Sequence, residues 1–194
     1  MPPATPVRLI ILGKSGSGKS TLAANLSAQL DIPYIELDAL HWLPGWQERP
    51  REELVALVHA RLDACGPPEE ASWIIDGNYL RGLRGYLWPR ATHIVWLDYP
   101  LLLTLWRLLK RTVWRAVTRA RICNGNVETL RTFVSLEPEK NLFLWCIKAH
   151  AIHRRDFPDL LAGEECVGAV KVRCRSPAET DRWVRKFVGF VKDA

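Results

Sequence analysis

Gly13-Lys14-Ser15-Gly16-Ser17-Gly18-Lys19-Ser20 fits the pattern GxxxxGK[ST] at every position, and it stands directly behind the largely apolar run Val7-Arg8-Leu9-Ile10-Ile11-Leu12. A buried strand leading into such a loop and a helix leading out of it are the context that makes it a phosphate-binding loop. The glycines free the backbone to curl so that successive N–H groups point inward at an anion. The following helix, expected over about Lys19 to Leu30, adds the positive end of its dipole. Lys19 is expected to reach the β- and γ-phosphates of ATP, and the Ser20 hydroxyl to ligate Mg²⁺. The nucleotide-binding set is Gly13, Ser15, Gly16, Ser17, Gly18, Lys19, Ser20 and Thr21. A merely flexible Gly/Ser turn would need neither the Lys-Ser pair at its end nor the apolar run before it.

Outward from the loop, Tyr34-Ile35-Glu36-Leu37 reads as a short second strand ending at Asp38, which completes a βαβ unit. Residues 39–46, with Trp42 and Trp46, have neither helical nor strand period and read as a loop. Pro50 opens a helix through about Cys65, with Leu54, Leu57, Val58 and Leu62 on one face. Trp73-Ile74-Ile75, stopped by Asp76, and His93-Ile94-Val95-Trp96-Leu97, stopped by Asp98, are apolar without alternation, as strands buried on both faces of a parallel sheet are. A long helix is expected from Leu101 to about Arg121, broken by Cys123 to Val127, and a second from about Asn141 to Arg155. A strand from Ala169 to Arg173 and a helix opened by the capping-box pattern Ser176-Pro177-Ala178-Glu179 close the chain. The fold class is α/β: a three-layer α/β/α sandwich on a five-stranded parallel sheet, in one domain. Ligands of such sheets bind at the carboxyl ends of the strands, which is where the loop, Asp38, Asp76 and Asp98 fall.

That rim supplies the candidate chemistry. Asp76 follows its strand as the acidic residue of a Walker B element does, and is expected to hold the metal opposite Ser20. Asp38 is placed to orient or deprotonate an acceptor hydroxyl. Arg107, Arg111, Arg115 and Arg119 recur at four-residue steps, so the first two can share a site while the last two drift around the axis. Phosphoryl transfer needs fixed cations around the developing charge, and guanidinium grips two oxygens at once, so Arg107 and Arg111 join Lys19 and Asp38 as catalytic candidates. Arg115, Arg119 and Arg121 are expected on a solvated basic face, and Lys148, Arg154 and Arg155 are candidates from the far side of a lid. Trp42 and Trp46 are expected in an acceptor-pocket wall, the remaining tryptophans in the core.

Composition bounds the rest. The 194 residues suffice for one α/β core, and 48% hydrophobic with 25% charged residues is ordinary globular material. No apolar run approaches the ~18 residues of a membrane span, and the opening Met1-Pro2-Pro3-Ala4-Thr5-Pro6 lacks the basic and apolar regions of an export signal, so a cytoplasmic protein is expected. Five cysteines without a CxxC pair argue against disulfides and structural zinc. His150 and His153 are expected on a solvated helix face. The net charge of +6 would suit any polyanion, but no recognised nucleic-acid module appears.

The phosphate loop, Leu37-Asp38-Ala39-Leu40-His41-Trp42-Leu43-Pro44-Gly45-Trp46, Trp73-Ile74-Ile75-Asp76-Gly77-Asn78-Tyr79, and Trp96-Leu97-Asp98-Tyr99-Pro100 followed by Arg107 and Arg111 together resemble the topology modulation protein family, a branch of the adenylate-kinase-like P-loop kinases. The resemblance implies a nucleoside-monophosphate-kinase fold with an acceptor-binding insertion at about 38–70 and a basic helical lid at about 101–155. In adenylate kinases the third strand ends in Asp-Gly-Phe-Pro-Arg. Asp76 and Gly77 match, Asn78 and Tyr79 depart from it, and Arg81 stands in for the arginine that contacts acceptor phosphate. The implied acceptor set is therefore Asp38, Trp42, Trp46, Asn78 and Arg81. The expectation is an ATP- and Mg²⁺-dependent phosphotransferase, monomeric or homodimeric, acting on a small acceptor, first a nucleotide or nucleoside and then a sugar or hydroxy acid. A nucleotide-gated regulator or nucleic-acid binder is the rival reading.

Overall fold

The computed structural model describes residues 6–78, 80–128 and 141–193, with the side chains at 80 and 81 outside that description. Its sheet has five parallel strands: β1 (Arg8–Gly13), β2 (Tyr34–Glu36), β5 (Trp73–Asp76), β6 (His93–Leu97) and β9 (Val170–Cys174), in the order β2-β5-β1-β6-β9. The loop-bearing strand is thus central, with β5 and then β2 on one side of it. Alternate residues of a strand face opposite ways, and β1 divides accordingly. Ile10 and Leu12 pack with Ile35, Leu54, Val58, Ile75, Trp96 and Phe157 on one face, while Leu9 and Ile11 pack with Ala23, Leu26, Ile74, Val95 and Phe187 on the other. Helices α3 (Arg51–Asp63) and α4 (Leu80–Leu87) cover the first face, and α1 (Lys19–Leu30) and α7 (Pro177–Asp193) the second. The three-layer sandwich expected from the sequence is the one observed.

Several local readings are corrected. Residues 39–46 are ordered: a short helix α2 (Leu37–His41), which carries Asp38, runs into a hairpin of β3 (Trp42–Leu43) and β4 (Gln47–Glu48). Helix α5 spans Leu101–Thr118 and stops where Arg119 turns left-handed (φ 49°), short of Arg121. The expected break at 123–127 is the turn of a second hairpin, β7 (Arg121–Ile122) with β8 (Asn126–Val127). Helix α6 (Leu142–Ala162) runs a further two turns past Arg155, carrying Pro158 in its last turn, and is capped by the Asn141 side chain, which accepts from the amides of Phe143 and Leu144. Helix α4 had no counterpart in the sequence reading. The capping box at α7 is present: Ser176 Oγ accepts from the Glu179 amide at 3.2 Å, and the Glu179 carboxylate accepts from the Arg175 amide at 2.7 Å. The part of the expected lid at 129–140 lies outside the described residues.

The tryptophans divide differently from expectation. Trp73, Trp88 and Trp96 are core, whereas Trp106 and Trp114 on α5 and Trp145 on α6 are exposed. The reason is α5 itself. It leaves the rim of the sheet and buries only the narrow face of Thr104, Leu108 and Thr112, which leaves Leu102, Trp106, Val113 and Val117 outward. Among the described residues no helix is long and apolar enough to cross a membrane.

Candidate active site

The loop after β1 closes on itself through a turn in which the Ser17 amide donates to the Lys14 carbonyl at 3.1 Å. Two of its glycines are required by space. At Gly16 (φ +79°) a Cβ would lie 2.3 Å from the Thr104 carbonyl oxygen of α5, and at Gly13 it would lie 2.5 Å from Ser17 Oγ. The Ser17 hydroxyl is fully buried in the loop and finds no hydrogen-bond partner among the described residues. A buried, unspent donor in a glycine-rich loop before a helix fits an anion cradle. Thr21 is exposed on the first turn of α1, and the Ser15 carbonyl meets Cys146 Sγ of α6 at 3.5 Å.

Around the loop the rim residues come together. Ser20 Oγ donates to Asp76 Oδ2 at 2.6 Å, and the Tyr34 hydroxyl donates to Asp76 Oδ1 at 2.8 Å. Asp76 is buried, and burial pushes its carboxyl above the ordinary range against the opposing pull of Lys19 and its two hydroxyl donors. These oxygens fit Mg²⁺, a hard cation that needs only one or two protein ligands beside phosphate and water. Asp38 Oδ2 lies 3.9 Å from Lys19 Nζ. Glu36, which the sequence reading did not single out, ends β2 in register with Asp76, and its carboxyl is held up by burial and by the charges of Asp76 and Asp38. Its signal was visible only in the spacing Glu36-Leu37-Asp38 at a strand end.

Asn78 does something the sequence did not reveal. Its carboxamide pairs with the Gly13 backbone on both sides, donating to the carbonyl at 2.7 Å and accepting from the amide at 3.0 Å, so the end of β5 holds the start of the loop.

On the opposite wall, α5 presents Arg107, Arg111 and Arg115. The Arg107 guanidinium reaches to 3.4 Å from the Ser17 carbonyl and sits 5.4 Å above the Tyr99 ring, so it overhangs the loop. Arg111 is tied to Glu128 at 3.7 Å and Arg115 to the same carboxylate at 2.7 Å. The solvated face expected for Arg115 is therefore not what it occupies. Burial lowers the Arg111 pKa against the pull of Glu128. The two hairpins are joined at this wall. Asn124 Nδ2 donates to the carbonyls of Ala39 and Trp42 at 2.9 and 2.7 Å, and Asn126 Nδ2 donates to that of Leu43 at 2.9 Å. Trp46 returns its amide to Asn126 Oδ1 at 3.0 Å and its indole N–H to the Val127 carbonyl at 3.2 Å, with the Trp42 ring edge-on at 5.7 Å. Cys123, in the turn of the second hairpin, is pushed up to about 11 by burial and then by the charges of Glu36 and Asp38.

Helix α6 seals the other side of the loop. Lys14 is buried and gives its ammonium to the Tyr99 carbonyl at 2.7 Å and to His150 Nδ1 at 2.6 Å. His153 stacks on Phe157 at 4.3 Å, and burial followed by the charges of Lys14 and Lys19 lowers it to about 4. The solvated face expected for these histidines is a packed one. Asp98, which the sequence places on the same rim, is taken up structurally, accepting from Arg154 Nε at 2.9 Å and Arg173 Nη2 at 2.6 Å. Arg154 is thus committed to Asp98, while Arg119, Arg121 and Arg155 are exposed. The Arg81 side chain lies outside the described residues.

No known family profile matches the chain. An alignment of 115 positions, covering 51% of the chain, is 31% identical to adenylate kinase of Thermosynechococcus vestitus; the match spans 58% of that relative's length. Among solved structures, shikimate kinase from Bacteroides thetaiotaomicron superposes with a TM-score of 0.50 at 16% identity, over 96% of this chain and 98% of that one. Shikimate kinase from Acinetobacter baumannii in complex with shikimate does so with a TM-score of 0.50 at 15% identity, over 96% of this chain and 94% of that one. At such identities the likeness establishes the fold alone, one shared with these two shikimate kinases.

Proposed function

We propose that the protein is an ATP- and Mg²⁺-dependent phosphotransferase that moves the γ-phosphoryl group to a small acceptor, within the nucleotide and nucleoside range first expected. The observation that carries this reading is the convergence of Lys19, Ser20, Asp76 and Asp38 at one point beside the loop. The loop amides, the unspent Ser17 hydroxyl and Lys19 bind the donor phosphates, and Arg107, overhanging the loop, steadies the group in transfer. Ser20 and Asp76 would hold Mg²⁺, which when bound neutralises phosphate charge. Asp38 orients the acceptor hydroxyl and accepts its proton. Helix α6 and the joined hairpins keep water from competing with the acceptor. The narrower resemblance to topology modulation proteins rests on the motifs quoted above, and a cytoplasmic setting is in keeping with Cys65, Cys123, Cys146, Cys166 and Cys174 forming no disulfide among the described residues. The nucleic-acid-binding reading loses support, because Arg115 and Arg154, two of the cations it would draw on, are engaged by Glu128 and Asp98.

The test is ADP formation from ATP and Mg²⁺ across nucleoside monophosphates, nucleosides and small hydroxylated metabolites, with Lys19→Ala as the blank. An acceptor that raises ADP well above the acceptor-free rate supports the reading. A flat panel indistinguishable from the blank contradicts it.

A further inference from the structure

Lys14 follows the first glycine of the phosphate loop, yet its side chain is spent on the protein. It is 4% exposed and gives its ammonium to the Tyr99 carbonyl, just past β6, at 2.7 Å and to His150 Nδ1, on α6, at 2.6 Å. Its own carbonyl accepts from the Ser17 amide in the turn that closes the loop. The next residue is held as well, the Ser15 carbonyl accepting from Cys146 Sγ of α6 at 3.5 Å. The first turn of the loop is therefore fixed from two sides, by the end of the sheet and by α6. Burial keeps Cys146 a neutral thiol, so His150 is the member of this set that changes charge near neutral pH.

An ammonium has no lone pair, so the contact requires His150 Nδ1 to accept and the ring proton to sit on Nε2. Protonation would set one N–H against another and end the bond. The groups around the ring are Lys14 from the loop, Asp98 from the end of β6, and Arg154 and His153 from α6 itself. Asp98 is already balanced by Arg154 and Arg173. Burial, then the charges of Lys14 and Arg154, lowers the His150 pKa from 6.5 against the pull of Asp98. A neutral ring at pH 7 is thus the state that holds the loop, and the hold is lost as pH falls below 6.5 through the lowered pKa.

We propose that His150 is a positioning residue for the donor nucleotide: as a neutral acceptor it holds Lys14, and through Lys14 the first turn of the phosphate loop, in the form that receives the phosphates. This rests on the phosphotransfer reading, in which the loop binds ATP. A turn released by protonation has to be ordered again when nucleotide binds, and that cost appears as lost affinity.

In the experiment β,γ-imido-ATP with Mg²⁺ is titrated calorimetrically into the wild type, His150→Asn and His150→Leu from pH 7.5 to pH 5. Asparagine offers a carbonyl oxygen where Nδ1 stands and cannot be protonated, whereas leucine removes the acceptor. At pH 7.5 His150→Asn is expected to bind within about threefold of the wild type and His150→Leu about tenfold more weakly, as loss of one charge-assisted hydrogen bond implies. On acidification the wild type is expected to weaken about threefold more than His150→Asn, since protonation of the nucleotide is common to both. Equal losses in the two variants, or one pH profile shared by the wild type and His150→Asn, would mean that His150 only packs, and either result overturns the proposal. Should the His150 variants fail to fold, Lys14→Met decides. Weaker binding with the wild type's acid limb gone supports the proposal, and the wild-type profile retained overturns it. No binding by the wild type at any pH brings down the reading of the loop as the donor site, and this proposal with it.

Discussion

At the scale of single residues, the Asn78 carboxamide separates a binding role from a scaffolding one. Because it holds both polar groups of Gly13, its loss is felt first by the loop and hence by the donor. Asn78→Asp removes the donor to the carbonyl and adds charge beside the phosphates. It is expected to weaken ATP binding at least tenfold, read by titration calorimetry, with a smaller change in acceptor KM. A change confined to acceptor KM would return Asn78 to the acceptor-contacting role expected from its place in the sequence. Gly16→Ala places a methyl group against the Thr104 carbonyl in a left-handed conformation, and is expected to lower ATP affinity severely while thermal unfolding shifts only a few degrees. The loop was legible because its chemistry is local: eight consecutive residues carry the glycines, the lysine and the serine. Asn78 was not, because its partner lies 65 residues away and a carboxamide after a strand says nothing about what it will meet.

At the scale of elements, α6 was legible as a helix but not as a seal. Helical period places His150 and His153 on a face; it does not say that Lys14 and Phe157 will be there. The consequence is a pH dependence. His153 is lowered from 6.5 to about 4 in the folded chain. A depressed histidine is neutral in the fold and takes up a proton on unfolding, so its contribution to stability is complete above pH 6.5 and is lost as pH falls toward 4. Chemical denaturation of His153→Phe, which keeps the stack on Phe157, is expected to show a shallower loss across that window, by about 2 kcal/mol. An unchanged slope would mean that His153 is solvated. The hairpins escaped the sequence reading for a different reason, since strands of two residues carry no period. Their junction is testable as an element. Asn124→Ala with Asn126→Ala is expected to raise acceptor KM about tenfold and to speed amide exchange in 39–48 and 121–127 together, as loss of that shared set of hydrogen bonds implies. Faster exchange in one hairpin alone would show that the two are not coupled.

At the scale of the whole molecule, the strand order was readable in outline because continuous apolar strands separated by helices permit few right-handed arrangements. What ties the layers together at the rim was not readable. Asp98 joins β6 to α6 through Arg154 and to β9 through Arg173. Burial raises its carboxyl, but hydrogen bonds and charge from the two arginines overcome this and hold it below the ordinary range. A depressed carboxyl stabilises the fold above its unfolded pKa, near 4, and that contribution disappears as pH falls through the folded value. Asp98→Asn is therefore expected to cost about 2 kcal/mol at pH 7, discounted for the solvent around both guanidinium groups, and to lose less on acidification than the wild type. Equal acid sensitivity of the two proteins, followed by urea denaturation from pH 7 to pH 3, would contradict this.

The claim on which everything else depends is that the γ-phosphoryl group ends on an acceptor and not on water. Phosphorus NMR of a single reaction containing ATP, Mg²⁺ and the most active acceptor measures both fates at once. The account predicts a new phosphomonoester resonance growing in step with ADP, and neither growing in the presence of Lys19→Ala. ADP accompanied only by inorganic phosphate would contradict it.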